Sequence, residues 1–240
     1  MPACAICCAC LVNASCAATC GASPAKLSCL VVNALAASCL ALKSAGITVE
    51  LREILLRDKP DAFLAATKTA TVPVLELKDG RVIEESLDIM FWALQEACDP
   101  AGWLSGWSLR KQETQAFLDE LDGEFKTDLD RYKYAIRYSA DAQSALELAN
   151  THRAGGCNFL NRIDMRLSKK PFLNGYSAGL EDYAALPFVR QFRIADMKWF
   201  DKQSWPFLQK WLQTFLHSQV FKDVMYKYKP WAPGATPIIF

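Results

Sequence analysis

From residue 26 onward the hydrophobic and polar positions follow a readable rhythm. Residues 26–32 form a short apolar run ending in Val31 and Val32, which predicts a buried strand. Asn33 is placed to cap a helix over 34–45, with Gly46 as its stop. Residues 49–55 read as a second strand. Lys59 and Pro60 open a short helical segment reaching Ala66, since proline suits a first helical turn. Residues 72–77 predict a strand, Lys78-Asp79-Gly80 a tight turn and 81–83 the returning strand of a hairpin. A helix follows from Ser86, with Leu87, Met90, Phe91 and Leu94 on one face. The order β-α-β-α-β-β-α implies a parallel pair with an antiparallel edge.

After Cys98 the rhythm changes. Asp99-Pro100-Ala101-Gly102 is rich in turn residues, and everything beyond Trp107 reads as helix or helix connection. Phe117, Leu118, Leu121 and Phe125 form one stripe, and Asp141 caps a long helix towards Leu167. An apolar helix over 180–194 contains Pro187, which predicts a kink. Ser204 and Ser218 each precede a helical stripe. The predicted organisation is an unassigned cysteine-rich segment (1–24), an α/β domain (25–97), a linker (98–107) and an all-α domain (108–240).

Composition narrows the function classes. With 27 basic and 26 acidic residues and no basic stripe, neither nucleic acid nor an anionic membrane is the expected partner. Lys26 interrupts the only uncharged stretch long enough to span a bilayer. The first 19 residues lack the basic start of a secretory signal, so a cytoplasmic location is expected. Only His152 and His217 are present, which gives little support to a zinc site or a Ser-His-Asp arrangement. No phosphate loop or dinucleotide fingerprint occurs. Eight of the ten cysteines fall in the first 39 residues, and Cys4, Cys7, Cys8 and Cys10 have a spacing reminiscent of soft-metal binding. That segment lacks the histidines or paired units of a zinc module, so no metal is expected. Out-of-frame translation of residues 1–39 would also give such a charge-poor, Ala- and Cys-rich start.

Two features carry chemistry. Val72-Pro73 opens a strand, and with a cis bond there the backbone of Val72 would stay free to pair with an extended peptide ligand. Alone, it reads first as an ordinary edge-strand proline. Glu85-Ser86 opens a helix, whose free N–H groups and partial positive charge suit a carboxylate. Ser86 adds a hydroxyl donor, and Glu85 accepts from an ammonium. Alone, this pair is a serine cap beside a solvated glutamate.

In this order and spacing, Thr71-Val72-Pro73-Val74-Leu75-Glu76-Leu77, Asp79-Gly80 and Val82-Ile83-Glu84-Glu85-Ser86-Leu87-Asp88-Ile89 closely resemble the N-terminal domain of glutathione transferases. Leu55-Leu56-Arg57-Asp58-Lys59-Pro60 is similar to the omega-like, cysteine-type members. Asp130-Arg131-Tyr132-Lys133-Tyr134, the run from Leu186 to Phe192, and Tyr226-Lys227-Tyr228-Lys229-Pro230-Trp231 resemble a bacterial branch. The resemblance covers roughly residues 40 to 231 and implies a thioredoxin-like α/β domain followed by an all-helical one. It implies that Thr71, Val72 and Pro73 hold the cysteinyl part of glutathione, Glu85 and Ser86 the γ-glutamyl end, and Lys59 the glycyl carboxylate. The implied activity is glutathione-dependent transfer to a small electrophile bound near Asp130–Tyr134, or thiol-disulfide reduction. A homodimer is left open. Gly179-Leu180-Glu181-Asp182 matches the capping box that opens the family's buried helix, with glycine where serine or threonine is usual.

One departure bears on catalysis. Cysteine-type members place a Cys-Pro pair at the start of the first helix, where the helix N-terminus lowers the thiol pKa. Counting back without gaps from Leu40-Ala41-Leu42-Lys43 puts that cysteine at residue 32, where this sequence has Val32-Asn33-Ala34. Cys29 and Cys39 read as small buried hydrophobes, and Ser38, inside the helix, as no nucleophile. A glutathione-binding protein without catalysis is therefore the alternative.

Overall fold

The computed structural model describes residues 25–29 and 35–240, with backbone alone at 26–29 and 35. The expected positions Val32 and Asn33, and Cys4, Cys7, Cys8 and Cys10, lie outside the described residues.

The first layer is a sheet. Strand β1 (Ala25–Cys29) runs parallel to β2 (Val49–Glu53) and antiparallel to β3 (Val74–Glu76), which pairs with β4 (Val82–Ile83). Helices α1 (Leu35–Ser44), α2 (Asp61–Ala66) and α3 (Ser86–Glu96) connect and cover these strands. The expected β-α-β-α-β-β-α order is the observed one. Gly46, at φ 67°, ends α1 by directing its N–H to Lys43 O, while Ile47 N bonds Leu42 O. Gly80, at φ 85°, takes the hairpin turn.

Helix α1 explains part of the uncharged composition. Ala36 through Leu42 are all buried, because α1 packs against α3, α7 and α10 as well as lying on the sheet side. A helix covered on every side must be apolar all round, and its alanines let three partners approach.

A loop over 97–106 leads to the helical layer. It is held firmly: Asp99 accepts from Trp103 N (2.8 Å) and Leu104 N (2.7 Å), and Trp103 stacks on Tyr183 at 3.6 Å. Helix α4 (Trp107–Glu120) runs into α5 (Lys126–Lys133) through a π-helical turn at Leu121–Phe125. Then come α6 (Ala142–Leu167), α7 (Leu180–Ala195), α8 (Met197–Phe200), α9 (Pro206–Leu216) and α10 (Gln219–Val224). Asp141 caps α6 as expected, and Ser218 caps α10, whereas Trp205 rather than Ser204 precedes α9. Phe117, Leu118, Leu121 and Phe125 are buried as the stripe predicted, with Phe125 stacked on Phe159 at 4.5 Å.

Two features add to the expected architecture. The region 108–240 is mostly helical and also carries β5 (Ile238–Ile239), which pairs antiparallel with β2, giving the sheet order β4-β3-β1-β2-β5. A two-residue strand has no alternation to read, and its partner lies at the other end of the chain. The π-helical turn was also unforeseen, since the apolar stripe continues through it without a break.

The start of α7 is buried from Gly179 to Asp182. Asp182 and Glu181 are completely buried. Asp182 accepts from Leu173 N (2.8 Å), Asn174 N (3.0 Å), Gly179 N (3.1 Å) and Trp211 Nε1 (2.8 Å). Burial pushes its carboxyl pKa up, while these four donors pull the other way. Glu181 accepts from Thr114 Oγ1 at 2.7 Å and pairs with Arg110 and Arg166. The reason for Gly179 is steric: a Cβ there would lie 2.8 Å from the Cβ of Asn174 and closer still to its amide.

Candidate functional site

Between the sheet layer and the helices lies a cavity of about 480 Å³. One wall is the segment entering β3, with Thr71, Val72 and Pro73. The Val72–Pro73 peptide is cis, and the β1–β3 ladder begins only at Val74, so Val72 lies ahead of the sheet pairing. A second wall is the start of α3, with Glu84, Glu85, Ser86, Leu87 and Asp88. The helical layer supplies Leu121, Asp122, Lys126, Ala184 and Phe188, and α1 supplies Ala37.

Five of the six residues singled out for glutathione therefore line one cavity: Thr71, Val72, Pro73, Glu85 and Ser86. Lys59 lies just before α2, half-buried, and does not line it. The helical wall comes from Leu121 and Asp122 of the π-helical turn and from Lys126, the first residue of α5, the helix that also carries Asp130–Lys133. Asp122 and Lys126 form an ion pair at 2.7 Å on the cavity rim, and Leu121, Ala184 and Phe188 give it an apolar face.

The start of α3 differs from the serine cap considered above. The N-cap is Glu85, in extended conformation (φ −104°, ψ 139°), and its side chain makes no cap bond. The first turn of α3 therefore meets the cavity without a side-chain cap, which is the arrangement that favours an anion. Ser38, fully buried on α1, donates from Oγ to Ser86 O at 3.2 Å, fixing α1 to the start of α3. Its hydrogen is thus committed, in keeping with the reading that Ser38 is no nucleophile.

Glu84 is the residue that sequence reasoning missed. Its Oε1 accepts from Lys68 N (2.9 Å), Thr69 N (3.2 Å), Thr69 Oγ1 (3.1 Å) and Thr67 Oγ1. These donors, the Thr67 hydroxyl foremost, hold the Glu84 carboxyl below its usual pKa. The only signal in the sequence was the alternation Thr67, Thr69, Thr71 upstream of a carboxylate.

Other candidates are less built. Cys39 is buried, and burial raises the pKa of the half-buried Cys157 thiol. His152 Nδ1 lies 2.7 Å from Asp128 Oδ1, away from the cavity lining. Among the described residues no three His, Cys, Asp or Glu side chains group as a metal site, and no helix is long and apolar enough to cross a membrane.

Comparison with known proteins bears on the fold. Residues 38–101 match the model of the glutathione S-transferase N-terminal domain. Poplar glutathione transferase F1 superposes with a TM-score of 0.71 at 16% identity, covering 85% of this chain and 97% of that one. A glutathione S-transferase from Rhodospirillum rubrum F11 gives 0.68 at 19% identity, covering 89% and 96%. A glutathione transferase family member from Pseudomonas fluorescens pf-5, with two glutathione bound, gives 0.70 at 15% identity, covering 87% and 95%. No curated protein matches this chain in sequence. The chain has the glutathione transferase fold, a small α/β domain followed by a mostly helical region, and its N-terminal portion matches the corresponding domain of that family.

Proposed function

We propose that this protein binds glutathione in the cavity between Thr71–Pro73 and the start of α3, and uses it in transfer to a small electrophile or in disulfide reduction. The observation that carries the reading is the meeting of an extended segment ahead of β3 with a helix N-terminus that lacks a side-chain cap. In this reading the γ-glutamyl carboxylate lies against the first turn of α3 with Ser86, and its ammonium faces Glu85. The Val72 backbone pairs with the cysteinyl unit, and Lys59 takes the glycyl carboxylate. The apolar face of Leu121, Ala184 and Phe188 receives the second substrate, with the Asp122–Lys126 pair at its rim. The omega-like, cysteine-type affinity, a cytoplasmic location and a homodimer belong to the same proposal.

The second reading, binding without turnover, has its own support. Among the described residues lining the cavity there is no thiol; only Thr71 and Ser86 carry hydroxyls, and Val32 stands where cysteine-type relatives carry the nucleophile. Calorimetry with glutathione tests both readings, and no heat of binding at millimolar ligand would end them together. Where binding is found, an aromatic halide and hydroxyethyl disulfide separate transferase, reductase and inert binder. A Val32→Cys variant that gains thiol transfer would show a competent scaffold lacking its nucleophile.

A further inference from the structure

The loop between α2 and β3 is largely exposed and contributes little apolar burial before Pro73, so packing alone cannot hold it. It also contains Ala70 at φ 53°, a left-handed conformation unfavourable for a non-glycine residue. Something else must over-determine its shape. Glu84 Oε1, on the opposite wall, collects two backbone N–H groups and two threonine hydroxyls from this loop.

The network reaches Thr71. Thr67 Oγ1 and Thr69 Oγ1 both approach Glu84 Oε1, and Thr69 Oγ1 lies 2.6 Å from Thr71 Oγ1, where one hydroxyl donates to the other. Thr67 Oγ1 in turn accepts from Thr69 N (3.2 Å) and Ala70 N (3.1 Å), closing the turn around the strained residue.

We propose that Glu84 is a positioning residue: through the Thr67–Thr69–Thr71 relay it fixes the loop, and with it Thr71 in the cavity wall, against the start of α3. The inference rests on the glutathione reading only for the ligand used in its test; the ordering of the loop stands apart from it.

The experiment compares wild type with Glu84→Ala and Glu84→Gln in the full chain. Amide hydrogen exchange over 68–71 is measured without ligand, glutathione affinity by calorimetry, and unfolding by heat. Loss of a charge-assisted acceptor predicts about tenfold or greater loss of protection in the loop and about tenfold weaker glutathione binding in Glu84→Ala. Glutamine keeps a carbonyl oxygen in place, so Glu84→Gln restores most of both. Unchanged loop protection in Glu84→Ala overturns the proposal, whatever happens to binding. Weakened binding with unchanged protection in both variants would instead make Glu84 a direct ligand contact. Should wild type not bind glutathione at all, that reading falls, while loop protection still decides the role of Glu84. A collapse of protection across the whole chain in Glu84→Ala, not rescued by Glu84→Gln, also counts against a local role.

Discussion

Two helix starts in this molecule are built to opposite plans. At α7 the helix start is buried: Asp182 accepts four hydrogen bonds, one of them from Gly179 N, and Glu181 is held by Thr114, Arg110 and Arg166. At α3 the N-cap Glu85 is exposed and makes no cap bond, and the first turn faces a cavity. The first end is sealed inside the protein and serves stability. The second is open and suited to a ligand. The contrast teaches that two helix starts without an N-cap side-chain bond can differ entirely in what surrounds them.

Mutations should separate the two ends. The largest effect is expected for Asp182→Ala, which strands four donors in the core. Its unfolding free energy should fall by about 3 kcal/mol or more, read from the urea midpoint. Next, Gly179→Ser restores the family's usual residue but drives its Cβ into Asn174, at a cost of about 1–3 kcal/mol. Adding Asn174→Ala should recover part of that cost, so a double-mutant cycle gives a favourable coupling term. On the open side, Ala70→Gly relieves the left-handed strain and should raise stability by no more than about 1 kcal/mol, since glycine also frees the unfolded chain. Smallest in stability is Glu85→Gln, expected within about 0.5 kcal/mol of wild type while glutathione binding weakens about tenfold. A large stability loss in Glu85→Gln would erase the comparison.

The fold was legible because its local signals agree with one another. Gly46 and Gly80 punctuate, Asp141 and Ser218 cap, and the change of period near Cys98 marks the change of layer. The cavity was legible where it rests on contiguous chain, from Thr71 to Pro73 and from Glu85 to Ser86. What could not be read depends on partners far apart in sequence. Glu84 looks like any acidic residue until the loop of Thr67 folds back upon it. Gly179 looks like a weakened cap until Asn174 is seen to occupy the space a side chain would need. The π-helical turn at Leu121–Phe125, which sets Leu121 and Asp122 in the cavity wall, leaves no trace in an apolar stripe.

The strand β5 adds a matter of timing. Val49 exchanges two backbone hydrogen bonds with Phe240 (3.0 and 2.9 Å), Trp231 N bonds Glu53 O (2.7 Å), and Arg52 stacks on the Trp231 ring at 4.6 Å. An edge early in the chain is thus covered by residues far along it. During synthesis on the ribosome that edge of β2 has no native neighbour until residues 238–240 have emerged, leaving it open to pairing with other nascent chains. Residues 231–240 act, in effect, as a guard against aggregation that arrives long after the strand it protects.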